Sequence, residues 1–471
     1  MSTEQLSYNP LYLQVKDIIQ KRILEGDYGP GESIPSEARL AKDFGTSVST
    51  IRQALSILVS EGKLVKKQGS GTFVSEQKVE IKFFTWVGET PAGKAILERV
   101  IDEFEARNPT IQVSCIHSYY PHARNELVQL ITNGTAPDVA QIVTPWTTYF
   151  ASMGAFAPLD GLLDEKNLGS RCVDKDLVGG RYMNSQYSVA WGLCPLSLIV
   201  NKNCLRELGI ENLESPMGLE RFGELCGRIS REYEGTDKYV YGLNVLHDET
   251  DFFRIYTFLQ AFGGGFVSDR GEVIFNSPEN AAGFNWLKDF ANTTKLLKTD
   301  IYSIRKRFAQ NEVVFITDGP WIRYMLEELT GEPFDTNFMV ILNPTFTTKV
   351  SLSWNYNHAL AVCAQSRNKL YAAKFIDAVT VDPDLSVLYY TSTGQLPVDE
   401  NLFERREFQD PYFSAFRRQL EYSSCINAQN PMFEKAMVLC MDAVQKIFFD
   451  GVDVKNELDE KQYYLKMLYY G

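Results

Sequence analysis

From Val79 onward, segments that read as strands alternate with segments that read as helices, and this alternation constrains the fold more than any other feature of the chain. KVEIKFFT is a strand that leads through the loop WVGE into the helical AGKAILERVIDEFEAR, which Asn108 and Pro109 end. TIQVSCIHSYY is a second strand, HARNELVQLITNG a second helix and APDVAQIV a third strand. A β-α-β-α-β opening calls for an α/β sheet with helices packed on it. The chain has 471 residues, which at roughly 150 residues per domain predicts about three folding units.

The first 77 residues read differently. Tyr12, Val15, Ile19 and Ile23 recur at helical spacing and stop before Gly26, giving a first helix. Ser36 is placed to cap a short helix EARLAKDF, with Glu37 in its first turn. Ser47 is placed to cap the next helix, whose Ile51, Leu55 and Leu58 form an apolar stripe. Two short helices joined across Gly45 make a helix-turn-helix pattern, and Ser49, Thr50, Arg52 and Gln53 stand off the core at the end that enters a major groove. KLVKKQGSGTFV then reads as two strands, Leu64 to Lys66 and Thr72 to Val74, joined by a glycine-rich turn: a wing. Lys63, Lys66 and Lys67 suit phosphate contact, and Gly69 and Gly71 allow close backbone approach.

The run from PLYLQVKDII to QGSGTFV, with PGESIPSE, STIRQAL and the terminal QGSGTFV as its carriers, resembles the winged-helix DNA-binding domain of the GntR family of bacterial transcription regulators. The resemblance implies DNA contacts at Ser49, Thr50 and Arg52 in the recognition helix and at Gln68 and Gly69 at the wing tip, to which the wing's Lys66 and a phosphate contact from Arg39 are added; for Arg39 and Arg52 a solvated helix face is the competing reading. Where the family usually has arginines this chain has Ala38 and Val48, so its operator is expected to differ from the common consensus, an arginine–guanine contact being worth ~1–3 kcal/mol of discrimination.

The rest of the chain resembles the solute-binding proteins of carbohydrate ABC transporters, the maltose-binding-like group. The carriers, in order, include FFTWVGE, APDVAQIV, GAFAPLDGLL, YSVAWGLCPLSLIVNKNCLRELGI, FLQAFGGGFVSDRGEVIFNSPENAAGFNWLKDF, FAQNEVVFITDGPW and TGQLPV. The expected fold class is therefore multidomain: an N-terminal winged helix (α+β), residues 1–77, followed by an α/β two-lobed, periplasmic-binding-protein-like (type II) sensor domain, residues 78–471. By resemblance, lobe one spans about 79–189 with 361–392, and lobe two about 190–360 with 393–471.

Sugar sites stack aromatic faces on pyranose rings and surround the hydroxyls with carboxylates and amides. Trp86, Trp146, Trp191, Trp321 and Trp354 fall at strand ends or loops that face the cleft in that family, so each is a candidate ligand contact, with buried packing as the alternative. Glu89 and Asp318, beside Trp86 and Trp321, are candidate acceptors for sugar hydroxyls. Trp286 repeats at helical spacing with Ala282 and Phe290 and reads as core. The glycine run 263–265 lacks a following GK[ST] and reads as a turn, not a phosphate cradle.

Charge divides the chain at the same boundary. Residues 1–77 hold nine Lys/Arg and nine Asp/Glu, and the other 394 hold 38 against 51, so the whole excess of −13 lies downstream. An acidic surface disfavours coating by nucleic acid and makes a strongly anionic ligand less favourable, but it leaves room for one small DNA-reading module. The eight cysteines, among them Cys172 and Cys425, show no CxxC, and His117, His122, His247 and His358 show no ligand spacing, so neither a disulfide framework nor a metal site is expected. MSTEQLSYNP lacks the basic and apolar regions of an export signal, so the chain is expected to be cytoplasmic.

The expected function is a ligand-responsive transcription regulator, not an enzyme. It needs no cofactor, its partners being approximately palindromic double-stranded operator DNA, a carbohydrate effector and a second copy of the chain. Two alternatives are disfavoured. A pyridoxal-phosphate, aminotransferase-like domain would need a Schiff-base lysine, and Lys295 in ANTTKLLKTD lacks the surrounding signature. A transporter-delivering solute-binding protein would need export.

Overall fold

The structure is a computed structural model that describes residues 10–163, 177–244, 249–268, 272–345, 353–424 and 432–470. Cys172, Cys425 and His247 lie outside the described residues. Helix α1 (Leu11–Glu25) ends at Gly26, whose φ of 87° is open to glycine without strain. In α2 (Glu37–Asp43) the Ser36 hydroxyl accepts from the Arg39 N–H, and in α3 (Val48–Ser60) the Ser47 hydroxyl accepts from the Thr50 N–H. Each cap satisfies an otherwise orphaned donor, worth ~1 kcal/mol. The inward faces of α1 and α3 meet through Val15, Ile19, Ile23, Ile51, Leu55 and Leu58, all 5% exposed or less. Strands β1 (Leu64–Lys67) and β2 (Gly71–Val74) pair antiparallel and close this small core with Leu64 and Val74.

Among the described residues the remainder is built on two five-stranded sheets, with two minor two-stranded pairs beside them. In chain order the strands are β3 (Val79–Thr85), β4 (Ile111–His117), β5 (Val139–Val143), β6 (Ser188–Gly192), β7 (Ser197–Asn201), β8 (Tyr239–Asn244), β9 (Leu296–Thr299), β10 (Val313–Asp318), β11 (Phe338–Ile341) and β12 (His358–Val362). The first sheet has the order β4-β3-β5-β12-β6 and the second β9-β8-β10-β7-β11. In each, the strands that begin βα units run parallel, and the strands that arrive from the other lobe add antiparallel to the edge of that set. Helices α4 (Pro91–Arg107) and α5 (Tyr120–Thr132) follow β3 and β4, as the periodicity predicts.

The chain passes from the first sheet to the second between Gly192 and Ser197 and returns between Ile341 and His358. Strands β6 and β12 thus run across the lobe limits expected at 189/190 and 360/361, because both strands carry their hydrogen-bonded register in the first sheet to the mouth of the cleft. Two later helices, Phe433–Phe448 and Val454–Tyr470, pack against Glu249–Ala261 and Pro278–Thr293 in the second lobe. Among the described residues no helix is long and apolar enough to cross a membrane.

The winged helix is seated on the first lobe. Lys63, the residue before β1, is 5% exposed; its ammonium donates to Asn368 Oδ1 at 2.6 Å and lies 4.3 Å from the centroid of the Tyr371 ring. Burial lowers the Lys63 ammonium to about 8. This lysine is therefore a fastener between domains and not the phosphate contact expected from its place in the wing.

Candidate functional site: a polar wing face and an aromatic cleft

The exposed end of α3 gathers the candidate DNA contacts. Ser47 Oγ lies 2.8 Å from both Ser49 Oγ and Thr50 Oγ1, fixing the hydroxyls at the helix start. Arg39, Ser49 and Arg52 are exposed and Thr50 is half-buried; Gln68 and Gly69 stand exposed at the tip of the β1–β2 hairpin, where Gly69 adopts φ 75°. Glu37 ties the face together: Arg52 Nε donates to its Oε2 at 3.0 Å and Lys66 Nζ to its Oε1 at 3.2 Å. The hydrogen bond from Arg52, aided by Lys66, holds the Glu37 carboxyl below its ordinary value. Arg39 Nε donates to Asp43 at 3.1 Å. Sequence reading found the cations but not the carboxylate that positions two of them, since Glu37 and Lys66 lie 29 residues apart.

Between the lobes lies a cleft of about 680 Å³, counted with its open mouth. The first lobe contributes Trp86 and Glu89 after β3 and Tyr120 at the start of α5. The second contributes Phe253, Arg254, Trp321 and Tyr324, with Tyr302 and Arg305 of helix α6 (Ile301–Ala309). The connecting segments contribute Tyr356, His358 and Gln395. Three contacts bridge the lobes at its rim: Tyr302 Oη donates to Glu89 at 3.3 Å, the Ala92 N–H donates to Glu328 Oε1 at 3.3 Å, and the Tyr119 and Tyr302 rings lie 5.2 Å apart. Burial raises the Glu89 carboxyl above its ordinary value, more than the Tyr120 N–H, Arg305 and the Tyr302 hydroxyl lower it.

His358 is the polar centre of the floor. Gln141 Oε1 accepts from the Thr85 hydroxyl at 2.5 Å and the Trp86 N–H at 3.2 Å, which turns the Gln141 amide nitrogen toward His358 Nδ1 at 3.3 Å. Gln395 Nε2 approaches the same Nδ1 at 3.2 Å. An atom facing two N–H donors must accept, so the ring proton resides on Nε2, which becomes a hydrogen-bond donor. Burial, reinforced by Arg305, lowers the imidazole to about 3, so it is neutral at ordinary pH. The Trp321 ring lies parallel to it at 5.1 Å.

The structure separates the sequence-derived candidates. Trp86, Glu89 and Trp321 line the cleft. Trp146 is 1% exposed and stands behind Trp86, edge-on at 5.8 Å and parallel to Tyr120 at 6.3 Å. Trp191 is fully buried in the core, stacked on Tyr389 at 4.0 Å and edge-on to Phe83, and Trp354 packs on Tyr256 at 5.4 Å; neither lines the cleft. Trp286, read as core, is stacked on Phe290 at 5.0 Å.

Asp318 is also fully buried. It accepts from Arg305 Nε at 2.8 Å, from Arg305 Nη2 and Arg254 Nη2 at 3.0 Å each, and from the Gly319 N–H at 2.9 Å. Burial alone would raise its carboxyl, but the charges of Arg305 and Arg254 outweigh this and hold it lowered. Its place is behind the cleft, orienting two guanidinium groups that do line it. The tryptophan-led search passed over Tyr120, Arg254, Arg305, Tyr356 and His358, which come from four separate segments with no common local motif. Lys295 donates to the Tyr233 and Thr236 carbonyls and lines none of these sites. Among the described residues no cluster of His, Cys, Asp and Glu is arranged to hold a metal.

Residues 99–413 match the family of bacterial extracellular solute-binding proteins, and residues 11–74 match the gntR family of bacterial regulatory proteins. The chain is 40% identical over 106 residues to a probable fructoselysine utilization operon transcriptional repressor of Escherichia coli K12, covering 22% of this chain and 44% of the relative. It is 38% identical over 114 residues to the transcriptional repressor NagR of Bacillus subtilis, covering 22% and 47%. The chain thus spans less than half the length of these curated relatives. Among solved structures, an ABC transporter solute-binding protein from Thermotoga lettingae bound with α-D-tagatose aligns with a TM-score of 0.73 at 18% identity, over 83% of this chain and 100% of that one. The GacH receptor of Streptomyces glaucescens, solved unliganded and with acarbose, aligns with a TM-score of 0.73 at 18% identity, over 83% and 99%. At such identity these likenesses establish the two-lobed fold. Winged helix, two sheets about a cleft and family matches agree: the chain belongs to the bacterial extracellular solute-binding protein family and carries at its N-terminus a DNA-binding domain of the GntR family of bacterial regulators.

Proposed function

We propose that this protein is a cytoplasmic, ligand-responsive transcription regulator of carbohydrate uptake or utilisation genes, in which a sugar bound between the lobes alters operator binding. No catalytic step and no cofactor form part of this reading. Two copies would place their recognition helices about one DNA turn apart on an approximately palindromic operator. Arg39, Ser49, Thr50, Arg52, Lys66, Gln68 and Gly69 form the DNA face; Trp86, Glu89 and Trp321 contact the sugar, joined by Arg305 and the Nε2–H of His358. Aromatic walls with a few directed donors and one carboxylate suit a ring bearing hydroxyls. The sugar-related names of the repressors and solute-binding proteins above support the same class.

The observation that carries the coupling is strand β12. It starts at His358 in the cleft floor and leads within ten residues to Asn368, which accepts from Lys63 of the winged helix, and then to Tyr371 beneath it. A ligand that closes the lobes shifts operator affinity only by its differential affinity for the two states, ordinarily ~1–3 kcal/mol. A thermal-shift screen of mono- and oligosaccharides on the full chain tests ligand binding, since saturation at 100 times Kd stabilises by ~2.7 kcal/mol. Operator selection from random duplexes, with and without the hit, tests coupling. The reading fails if no sugar stabilises the protein, or if a stabilising sugar leaves DNA affinity unchanged.

A further inference from the structure

A second cavity lies where the winged helix meets the first lobe, bounded by α1, the end of α3, the turn at Gly161–Leu162 and the start of helix α7 (Lys369–Val381). It is an open groove of about 1080 Å³, separate from the interlobe cleft. Among its described lining residues four cations, Lys16, Lys21, Arg367 and Lys369, stand against two carboxylates, Asp17 and Glu61, and Lys21 also pairs with Glu25 at 3.8 Å. Lys16 is engaged by Glu61 at 3.6 Å and Asp17 at 3.5 Å, whereas Arg367 is exposed and has no ion-pair or hydrogen-bond partner among the described residues. The Lys369 ammonium donates to the Ser366 carbonyl at 2.6 Å and is lowered by burial and by the charge of Lys16. The positive end of α7 adds to the same field.

Two of the lining residues carry buried acceptor atoms. Gln20 is 1% exposed and its Oε1 has no hydrogen-bond partner among the described residues; in the partly exposed Glu61 the Oε1 faces Lys16 and the buried Oε2 has none among them. Leaving such atoms unsatisfied costs ~1–3 kcal/mol each, so this site is short of donors as well as of negative charge. A ligand with one anionic group and several hydroxyls supplies both.

We propose that this groove is a second effector site, for an anionic polyol such as a phosphorylated or carboxylated sugar, with the anion on Arg367, Lys369 and Lys21 and the hydroxyls donating to Gln20 and Glu61. A molecule held there touches both the DNA-binding domain and the lobe that carries it, so it fixes the joint that Lys63 fastens. The site goes beyond the regulator reading above and stands or falls without it.

The test is a thermal-shift and calorimetric comparison of glucose 6-phosphate, glucuronate, glucose and inorganic phosphate on the full chain, on Trp321→Ala, on Arg367→Ala and on Gln20→Leu. Binding of one or both anionic sugars is expected, retained in Trp321→Ala and weakened about tenfold or more in Arg367→Ala, the effect of one lost charge-assisted hydrogen bond. Gln20→Leu should weaken the sugar acid or sugar phosphate while leaving inorganic phosphate unaffected. Which of the two anionic sugars binds distinguishes phosphate from carboxylate. The proposal is overturned if neither binds, if glucose or inorganic phosphate binds equally well, or if the response is lost in Trp321→Ala and kept in Arg367→Ala, which would assign the anion to the cleft. It is equally overturned if Arg367→Ala weakens and flattens the salt dependence of binding to random-sequence duplex without any small-molecule response, the signature of a DNA-backbone contact.

Discussion

Glu37 on the wing face and Asp318 behind the cleft have the same composition, one carboxylate holding two cations, in opposite surroundings. Around Glu37 the partners Arg52 and Lys66 are 62% and 51% exposed, whereas Asp318 and its partners Arg254 and Arg305 are all under 10% exposed. An exposed pair is worth ~0–1 kcal/mol because water competes for both ions, so Glu37 can surrender its cations to phosphate or base at little cost. A buried triad cannot be opened without stranding charge in a low-dielectric interior. The first arrangement stores binding groups in readiness; the second fixes the shape and field of a pocket.

The largest effect should come from breaking the buried member. Asp318→Ala leaves two guanidinium groups uncompensated and is expected to destabilise the fold by ~3–5 kcal/mol, read by chemical denaturation. Arg52→Ala should cost far less stability, and an equal loss from both would erase the contrast. Trp191→Ala is expected to cost ~3–5 kcal/mol of stability through its lost packing on Tyr389. Trp321→Ala should instead abolish the sugar-induced rise in melting temperature, so the reverse assignment would disprove the separation of core from cleft tryptophans.

Acid should act on the cleft before it acts on the wing. With the folded imidazole of His358 lowered to about 3, the unfolded chain takes up a proton near pH 6.5 that the folded chain refuses. This contribution to stability is complete above pH 6.5 and is lost as pH falls toward 3, with a slope of up to ~1.4 kcal/mol per pH unit. His358→Gln should flatten that part of the stability profile, and an unchanged slope would show that another group governs it. On the wing, Arg52→Ala is expected to weaken operator binding by ~1–3 kcal/mol, measured by titration at fixed salt. Glu37→Gln should give the smallest change, tightening duplex binding by ~1 kcal/mol or less as Arg52 and Lys66 are released. A weakening would mean that Glu37 positions those cations for DNA and does not hold them in check.

The wing face was legible in the sequence because its signals are local. Ser36 and Ser47 announce helix starts, the Ile51, Leu55 and Leu58 stripe defines the inward side of α3, and everything polar beside that stripe must face out. The cleft was only partly legible. Its tryptophans could be located near strand ends, yet Trp86 and Trp191, each at the end of a strand in one sheet, take opposite roles because one turns to the cleft and the other to Tyr389. His358 gave no signal as a metal ligand and acquires its role through Gln141 and Gln395.

By itself the sequence determined the kind of parts and their order: a net-neutral helical domain with a wing, then an acidic α/β chain whose alternation demands sheets covered by helices. Periodicity, capping and charge act over a few residues, so they survive without knowledge of the rest of the chain. Tertiary structure alone decided which residues share a site, that Asp318 orients arginines and leaves the cleft lining to them, and that Lys63 is buried between domains. Those outcomes depend on burial and on distances between residues separated by tens to hundreds of positions, where the cost of desolvating a charge is set by neighbours that no local pattern specifies.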